Sequence, residues 1–385
     1  MTGGATTGRR GSLAAAALLD CARMSLRAQR ARVNGVIGTA LLHTPWLRRL
    51  GRISFLGTLD AHPRSGRPST RLEHSIGVAA LGAEVAETLE LERERARVFV
   101  AACLLHDVGH YPLSHAAEPA FARRLGADHH ELTRWILTGD GPLGEARSLR
   151  PELERLDIDP AAVWALIDGG RAQDDGDGAS AGDVGLTELL RARINLDTLE
   201  GIVRVARCFR VRKKRLPARI FVVHDGELSI DAGVVAQVDH FWGLKDRVYD
   251  EVINLPSNIL AEARLCEQVA GAVSEEVFGE LERFDDAALE RVLGEGWAAT
   301  RLRADEDERY LLSPSESDEP ILVRTRKRYF VDKRAGDRLE ALPVSRWSER
   351  YQHEKVRAYL LSRDRQLELP GVSMGLPLEY EAPEI

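Results

Sequence analysis

The 385-residue chain is poor in cysteine, with four residues at 21, 103, 208 and 266 and no CxxC pair among them. Neither a zinc finger nor a disulfide framework is indicated by that scatter, and a reducing compartment is expected. Also missing is any run of about 18 or more uninterrupted apolar residues, the length a membrane-spanning helix needs. There is no excess of positive charge: the formal net charge is -7, so nucleic acid is the disfavoured partner and an anionic ligand must be met by local cationic groups. No repeat of fixed period is present. What remains, 44% hydrophobic and 29% charged residues, is the composition of a soluble globular protein and excludes a disordered or fibrous one.

Arg9 and Arg10 followed by Leu13 to Leu19 imitate a secretion signal, but Asp20 interrupts the run and no cleavage site follows. A soluble N-terminal helix and a cytoplasmic location are expected. Helical spacing continues to about Val33, short turns follow from Val36, and Pro45 is placed to open a helix carrying Trp46, Leu50 and Ile53 inward. After a Gly/Pro/Ser loop at 62–70, helices are expected from Arg71, from about Glu92 to His106-Asp107, from Glu118 to Leu137, from Pro160 to Asp168, from Leu186 to Phe209 and from about 232 to 293. Ile220 to Ile230 reads as a β-hairpin and 321–331 as a strand. The expected fold is mostly α: an N-terminal extension (1–32), a helical core (33–295) with a mobile acidic insertion at about 169–185, and a mixed α/β C-terminal extension (296–385).

The segment Val98 to His115, V-F-V-A-A-C-L-L-H-D-V-G-H-Y-P-L-S-H, carries the chemistry. Its apolar first half demands burial, yet it ends in His106-Asp107 with His110 and His115 close behind. A buried carboxylate beside imidazoles requires a partner, and a metal ion meets that requirement. His74 and Asp197 complete a set of two imidazoles and two carboxylates. Such mixed nitrogen and oxygen donors suit Mn, Fe, Mg, Ni or Zn, and a divalent cation of this kind neutralises phosphate charge and lowers the pKa of bound water.

Thr70 to Ser75 (T-R-L-E-H-S), Leu104 to His115 (L-L-H-D-V-G-H-Y-P-L-S-H), His130-Glu131 and Leu196-Asp197 together resemble the motifs of HD-domain metal-dependent phosphohydrolases, in particular the branch of deoxynucleoside triphosphate triphosphohydrolases. The resemblance covers about 33–260. It implies an HD-domain helical bundle, with His74, His106, Asp107 and Asp197 as metal ligands. His110, His115 and His130 are implied at the phosphate, His115 protonating the leaving oxygen with Glu118 orienting it, and Arg71 contacting a phosphate. His129 is expected to be a surface neighbour of His130.

The same resemblance exposes departures. Phe55 stands where that branch has a sugar-reading glutamine, Thr198 where a lysine is frequent, and Gly201 and Val205 where a tyrosine and a polar residue are expected. Loss of hydroxyl-reading and phosphate-reading groups redirects specificity. The implied activity is hydrolysis of a nucleotide phosphate ester, altered from the standard triphosphohydrolase. Alternatives are a 5'-monophosphatase acting on a modified nucleotide, and a phosphodiesterase acting on a cyclic nucleotide or single-stranded nucleic acid, which the basic run Arg207 to Arg215 would favour. Homo-oligomers are common in the branch and are implied by resemblance alone.

Overall fold

The computed structural model describes residues 24–169, 181–191, 195–211, 220–224, 227–230, 233 and 235–294, with strand segments at 310–314, 323–330, 342–343, 354–363 and 378–381. The N-terminal run Leu13 to Leu19 and most of the acidic insertion lie outside these residues. The described helices are α1 (Leu26–Ile37), α2 (Pro45–Leu50), α3 (Arg71–Thr88), α4 (Arg93–Leu105), α5 (Glu118–Leu125), α6 (His129–Thr138), α7 (Arg150–Arg155), α8 (Pro160–Asp168), α9 (Ala181–Arg191), α10 (Leu196–Cys208), α11 (Val235–Val248), α12 (Pro256–Ala272) and α13 (Asp286–Leu293). None is long and apolar enough to cross a membrane.

The centre of the bundle is α3. Thr70 caps it by accepting from the Glu73 N–H, the T-x-x-E arrangement that fixes a helix start, and nearly every residue from Arg71 to Ala86 is buried. A helix apolar all round belongs inside, covered by neighbours: α1, α4 and α10 pack on α3, and α8 covers α4. Small residues let α3 and α4 approach closely. A Cβ added at Gly82 would lie 2.6 Å from Cys103 Sγ, so Cys103 is a core residue, as its burial also shows.

Several long sequence periodicities resolve into shorter helices. The expected helix from Glu118 to Leu137 is α5 and α6, broken by Gly126 in the left-handed region. The one from Leu186 to Phe209 is α9 and α10, the second restarted by the Asn195 cap. The region 232–293 divides into α11, a π-helical turn at Tyr249–Ile253, α12, a 3-10 stretch at Glu275–Arg283 and α13. Conversely, α1 continues to Ile37, past the turns expected from Val36. Helical period alone does not locate a break; the caps do.

Strands β1 (Phe221–His224) and β2 (Glu227–Ile230) pair antiparallel, with β5 (Leu342–Pro343) on the outer side of β2. A second sheet has the order β3-β6-β4-β7, from β3 (Tyr310–Pro314), β6 (Glu354–Arg363), β4 (Val323–Phe330) and β7 (Leu378–Glu381), with β4 and β7 parallel. The strand read at 321–331 is β4.

If the contact between α3 and α4 is as tight as Gly82 indicates, Gly82→Ala destabilises by about 1–3 kcal/mol through overpacking, and the loss shrinks in a Cys103→Ala background. Denaturant midpoints of the four proteins in a double-mutant cycle measure this; equal losses in both backgrounds would remove Cys103 as the cause.

Candidate metal centre

Three elements deliver the four candidate ligands. His74 lies in the first turn of α3, His106 and Asp107 at the C-terminal end of α4, and Asp197 in the first turn of α10. His74 Nε2 stands 2.8 Å from Asp197 Oδ1 and 3.6 Å from Asp107 Oδ2. His106 Nε2 is 3.4 Å from Asp107 Oδ1 and 3.8 Å from Asp197 Oδ1. The structure thus brings together all four residues that the sequence singled out as ligands.

Hydrogen bonds on the far side of each ring fix which nitrogen faces this space. His74 Nδ1 is 2.6 Å from Glu200 Oε2, and His106 Nδ1 is 3.0 Å from the Cys103 carbonyl oxygen. Carboxylate and carbonyl oxygens only accept, so both Nδ1 atoms carry the hydrogen and both Nε2 atoms present a lone pair. Neither Nε2 has an aligned hydrogen-bond partner, although both rings are buried. Two unpartnered lone pairs converging on two carboxylates fit a divalent cation with mixed nitrogen and oxygen ligands. Electrostatics agree: burial opposes charge on His106, yet Asp107 and Asp197 outweigh it and raise its pKa to about 9. Positive charge is favoured at this point: it is a proton on Nε2 when the space holds no cation, and the lone pair is presented when a cation takes the proton's place.

Glu200 was not among the sequence candidates, although it lies one helical turn after Asp197 and therefore shares its face. It is buried and held by Arg204, whose Nη2 donates to Glu200 Oε1 at 2.5 Å. A ligating imidazole oriented by a carboxylate is the usual outer support of a metal site. Gly77 makes room for it, since any Cβ there would collide with the Glu200 carboxylate.

Beside the ligands lies a second cluster: His110, His115, Glu118 and His129. His110 is buried, its Nε2 3.2 Å from Asp107 Oδ1 but out of line for a hydrogen bond, and its ring stacks on His129 with centroids 4.3 Å apart. His115 Nδ1 donates to Glu118 Oε2 at 2.9 Å, while Glu118 Oε1 accepts from both the backbone N–H and the Nδ1 of His129. The sequence reading placed His130 in the cluster and His129 on the surface. The reverse holds: His129 is buried on Glu118 and His130 is exposed. In α6 adjacent residues point about 100° apart, and which of two neighbouring histidines turns inward was decided by the packing of Glu118.

The loop before His115 is strained. Leu113 and Ser114 both adopt left-handed conformations, with φ of 60° and 54°, each costing roughly 1–2 kcal/mol for a residue with a Cβ. Three contacts hold them. Asp286 accepts from the Leu113 N–H at 2.8 Å, Ser114 Oγ donates to the Ser54 carbonyl oxygen at 2.5 Å, and it accepts from Arg71 Nε at 2.8 Å. Arg71 Nη1 meanwhile donates to Asp107 Oδ2 at 2.8 Å. The guanidinium expected to face a phosphate is therefore engaged with the Asp107 carboxylate and the His115 loop. Phe55, buried, lies against both Arg71 and His74, its ring centroid 4.6 Å from that of His74.

Residues 71–147 match the family model described as HD domain. A stretch of 143 residues is 33% identical to a protein of Bifidobacterium longum named deoxyguanosinetriphosphate triphosphohydrolase-like, covering 34% of this chain and 28% of that protein. Another of 136 residues is 32% identical to an uncharacterized protein of Mycoplasma pneumoniae, covering 33% and 30%. The chain thus spans less than a third of the length of these relatives. In fold it is similar to a phosphohydrolase structure from Bacteroides thetaiotaomicron, with TM-score 0.58 and 15% identity over 84% of this chain and 94% of that one. A hypothetical protein from Aquifex aeolicus matches with TM-score 0.60 and 16% identity over 84% and 92%.

Removing the carboxylate in Glu200→Gln is expected to raise the dissociation constant for a bound divalent metal about 10–100-fold, read by metal titration; unchanged affinity would show that His74 needs no such support. A second outcome concerns pH. Burial favours neutral Glu118, but the His129 charge and the hydrogen bonds from His115 and His129 outweigh it and hold Glu118 well below the usual carboxylate range. His129, despite burial, is raised above 6.5 by Glu118. Glu118 contributes fully above its unfolded value of 4.5 and loses this as pH falls, whereas His129 contributes fully below 6.5 and loses this as pH rises. The stability gap between wild type and Glu118→Gln is therefore largest between pH 4.5 and 6.5 and shrinks on either side, as denaturant titrations across pH will show.

Proposed function

We propose that the chain, whose residues 71–147 match the HD-domain family model, is a metal-dependent phosphohydrolase acting on a nucleotide phosphate ester. The observation that supports this most is the pair of unpartnered Nε2 atoms on His74 and His106 facing Asp107 and Asp197. These four residues would hold a divalent cation, whose Lewis acidity polarises a phosphoryl oxygen when bound. Its identity lies among Mn, Fe, Mg, Ni and Zn.

The chain's own residues have separable tasks in this reading. His110 and His129 present imidazoles to the phosphoryl group beside the ligands. His115 is kept in one tautomer by Glu118, so its Nε2 faces away from that carboxylate. Burial lowers His115 to about 4, so the resting ring is neutral at pH 7. A phosphate anion opposes that desolvation, and the protonated ring then serves the leaving oxygen. Arg71 bridges ligand Asp107 and the His115 loop, and so sets the distance between the two halves of the site.

Substrate choice is proposed to differ from that of deoxynucleoside triphosphate triphosphohydrolases. Phe55 packs on His74 and offers no hydrogen bond to a sugar hydroxyl. Thr198 is buried, as are Gly201 and Val205, so this stretch of α10 supplies core contacts where phosphate-reading groups were expected. A monophosphate or a nucleotide with a modified sugar suits such a site better than a triphosphate does.

Release of phosphate from mono-, di- and triphosphates with each of the five metals is the deciding experiment. Chelation is expected to abolish activity, and His115→Ala to lower kcat by about 10²–10⁴ while leaving metal content intact, the range of a general acid. Activity surviving full metal removal would sink the proposal. Fast tripolyphosphate release from all four ordinary deoxynucleotides, with no other activity, would sink the altered specificity.

A further inference from the structure

Asp286 lies well beyond residues 71–147, the stretch that matches the HD-domain family model, yet it reaches the candidate site. It is the first residue of α13, and its two oxygens are used separately. Oδ1 accepts the Leu113 N–H and Oδ2 the Ser54 N–H, both at 2.8 Å. The two partners belong to different halves of the site. Leu113 and Ser114 form the left-handed turn immediately before His115. Ser54 pairs antiparallel with Thr70, the cap of α3. Its neighbours close that join: the Arg71 N–H donates to the Ile53 carbonyl oxygen and the Phe55 N–H to that of Ser69, each at 2.9 Å. Ser54 is thereby fixed to the helix start that carries His74. One carboxylate spans the ligand side and the acid side.

We propose that Asp286 is a positioning residue for catalysis: by holding Leu113 and Ser54 with separate oxygens, it fixes His115 at its working distance from the metal ligands. This rests on the reading of His115 as the general acid. Three observations carry it. Two successive residues with a Cβ in the left-handed region are unfavourable and persist only under restraint. Ser114 Oγ restrains the turn through its bonds to Ser54 and Arg71, but the Leu113 backbone N–H is held by Asp286. An N–H bonded to a carboxylate is also held more firmly than one bonded to a neutral acceptor. Finally, the base from which Asp286 reaches is itself anchored. Arg49, buried in α2, donates Nε to the Phe284 carbonyl oxygen at 2.9 Å, and Arg52 pairs with Asp285. The cap of α13 is Asp285, which accepts from the Ala288 N–H, so the Asp286 carboxylate is not what caps the helix.

The experiment compares the full-length wild type with Asp286→Ala, His115→Ala, the double variant of the two, and Asp285→Asn. Each is assayed with the metal, and with whichever of the nucleotide mono-, di- and triphosphates, that give the wild type its fastest phosphate release. Asp286→Ala is expected to lower kcat about 10²-fold, the cost of misplacing a catalytic group by about 1 Å, with KM and metal content unchanged. In the His115→Ala background the same change is expected to cost nothing further, because the group it positions is gone. Without substrate, hydrogen exchange at the Leu113 and Ser54 amides is expected to run about tenfold faster in Asp286→Ala. Asp285→Asn keeps a capping side chain but loses the charge paired with Arg52, and is expected to retain its kcat. Where Asp286→Ala does not fold, Asp286→Asn, which keeps one accepting oxygen, is read against the same outcomes at whichever of the two amides it releases. The proposal alone is overturned if His115→Ala loses activity while Asp286→Ala keeps it, if the loss from Asp286→Ala repeats in full in the His115→Ala background, if Asp285→Asn loses as much, or if exchange at both amides is unchanged. Full activity in His115→Ala, or no release by the wild type, strikes the reading of His115 and the proposal with it.

Discussion

Two carboxylates, Asp107 and Asp197, are turned toward two imidazole lone pairs inside a helical bundle, and the structure around them follows from that constraint. Charges so placed are tolerable only when paired. Each ring is therefore pinned through Nδ1, His74 by Glu200 and His106 by the Cys103 carbonyl, which leaves Nε2 turned toward the carboxylates. The bundle then has to hold four residues from three helices in register. It does so by burying nearly all of α3 from Arg71 to Ala86 and by restarting the chain with side-chain caps at Thr70 and Asn195, just before His74 and Asp197.

Pinning propagates outward. Glu200 orders His74 and is itself ordered by Arg204, whose Nη2 also donates to the Glu73 carbonyl oxygen. On the opposite flank Arg71 ties Asp107 to Ser114, and Ser114 ties the loop to Ser54. Asp286, at the start of α13, receives the N–H groups of both Ser54 and Leu113. The strained turn that presents His115 is thus fastened by a residue far away in sequence. Backbone strain is maintained when its surroundings over-determine it, and three separate contacts do so here.

The histidine and glutamate cluster beside the ligands is the complementary half. Glu118 serves His115 and His129 with different oxygens, and His129 in turn stacks on His110. Gly109 is required between the halves: a side chain there would collide with the His129 carbonyl and with Thr133. That one close approach brings α6 against the end of α4, and so brings the two clusters into one site.

Legibility in the sequence followed the range of the interaction. The candidate ligands could be read because T-R-L-E-H-S, L-L-H-D and L-D resemble the motifs of HD-domain phosphohydrolases. The mostly helical fold was legible from helical spacing, and the buried character of Val98 to Leu105 from its apolar run. Splits within long helical stretches were missed where period was read without its caps. The choice of His129 over His130, the pairing of Glu200 with His74, the engagement of Arg71 by Asp107 and the clamp from Asp286 were settled by tertiary packing. Each depends on which of several chemically similar side chains reaches a partner up to 173 residues away, as Asp286 does for Leu113, and local propensity carries no information about that distance. The sequence by itself determined the chemistry available at the site; the packed bundle decided which atoms face one another, because a lone pair is directed only when the other side of its ring is held.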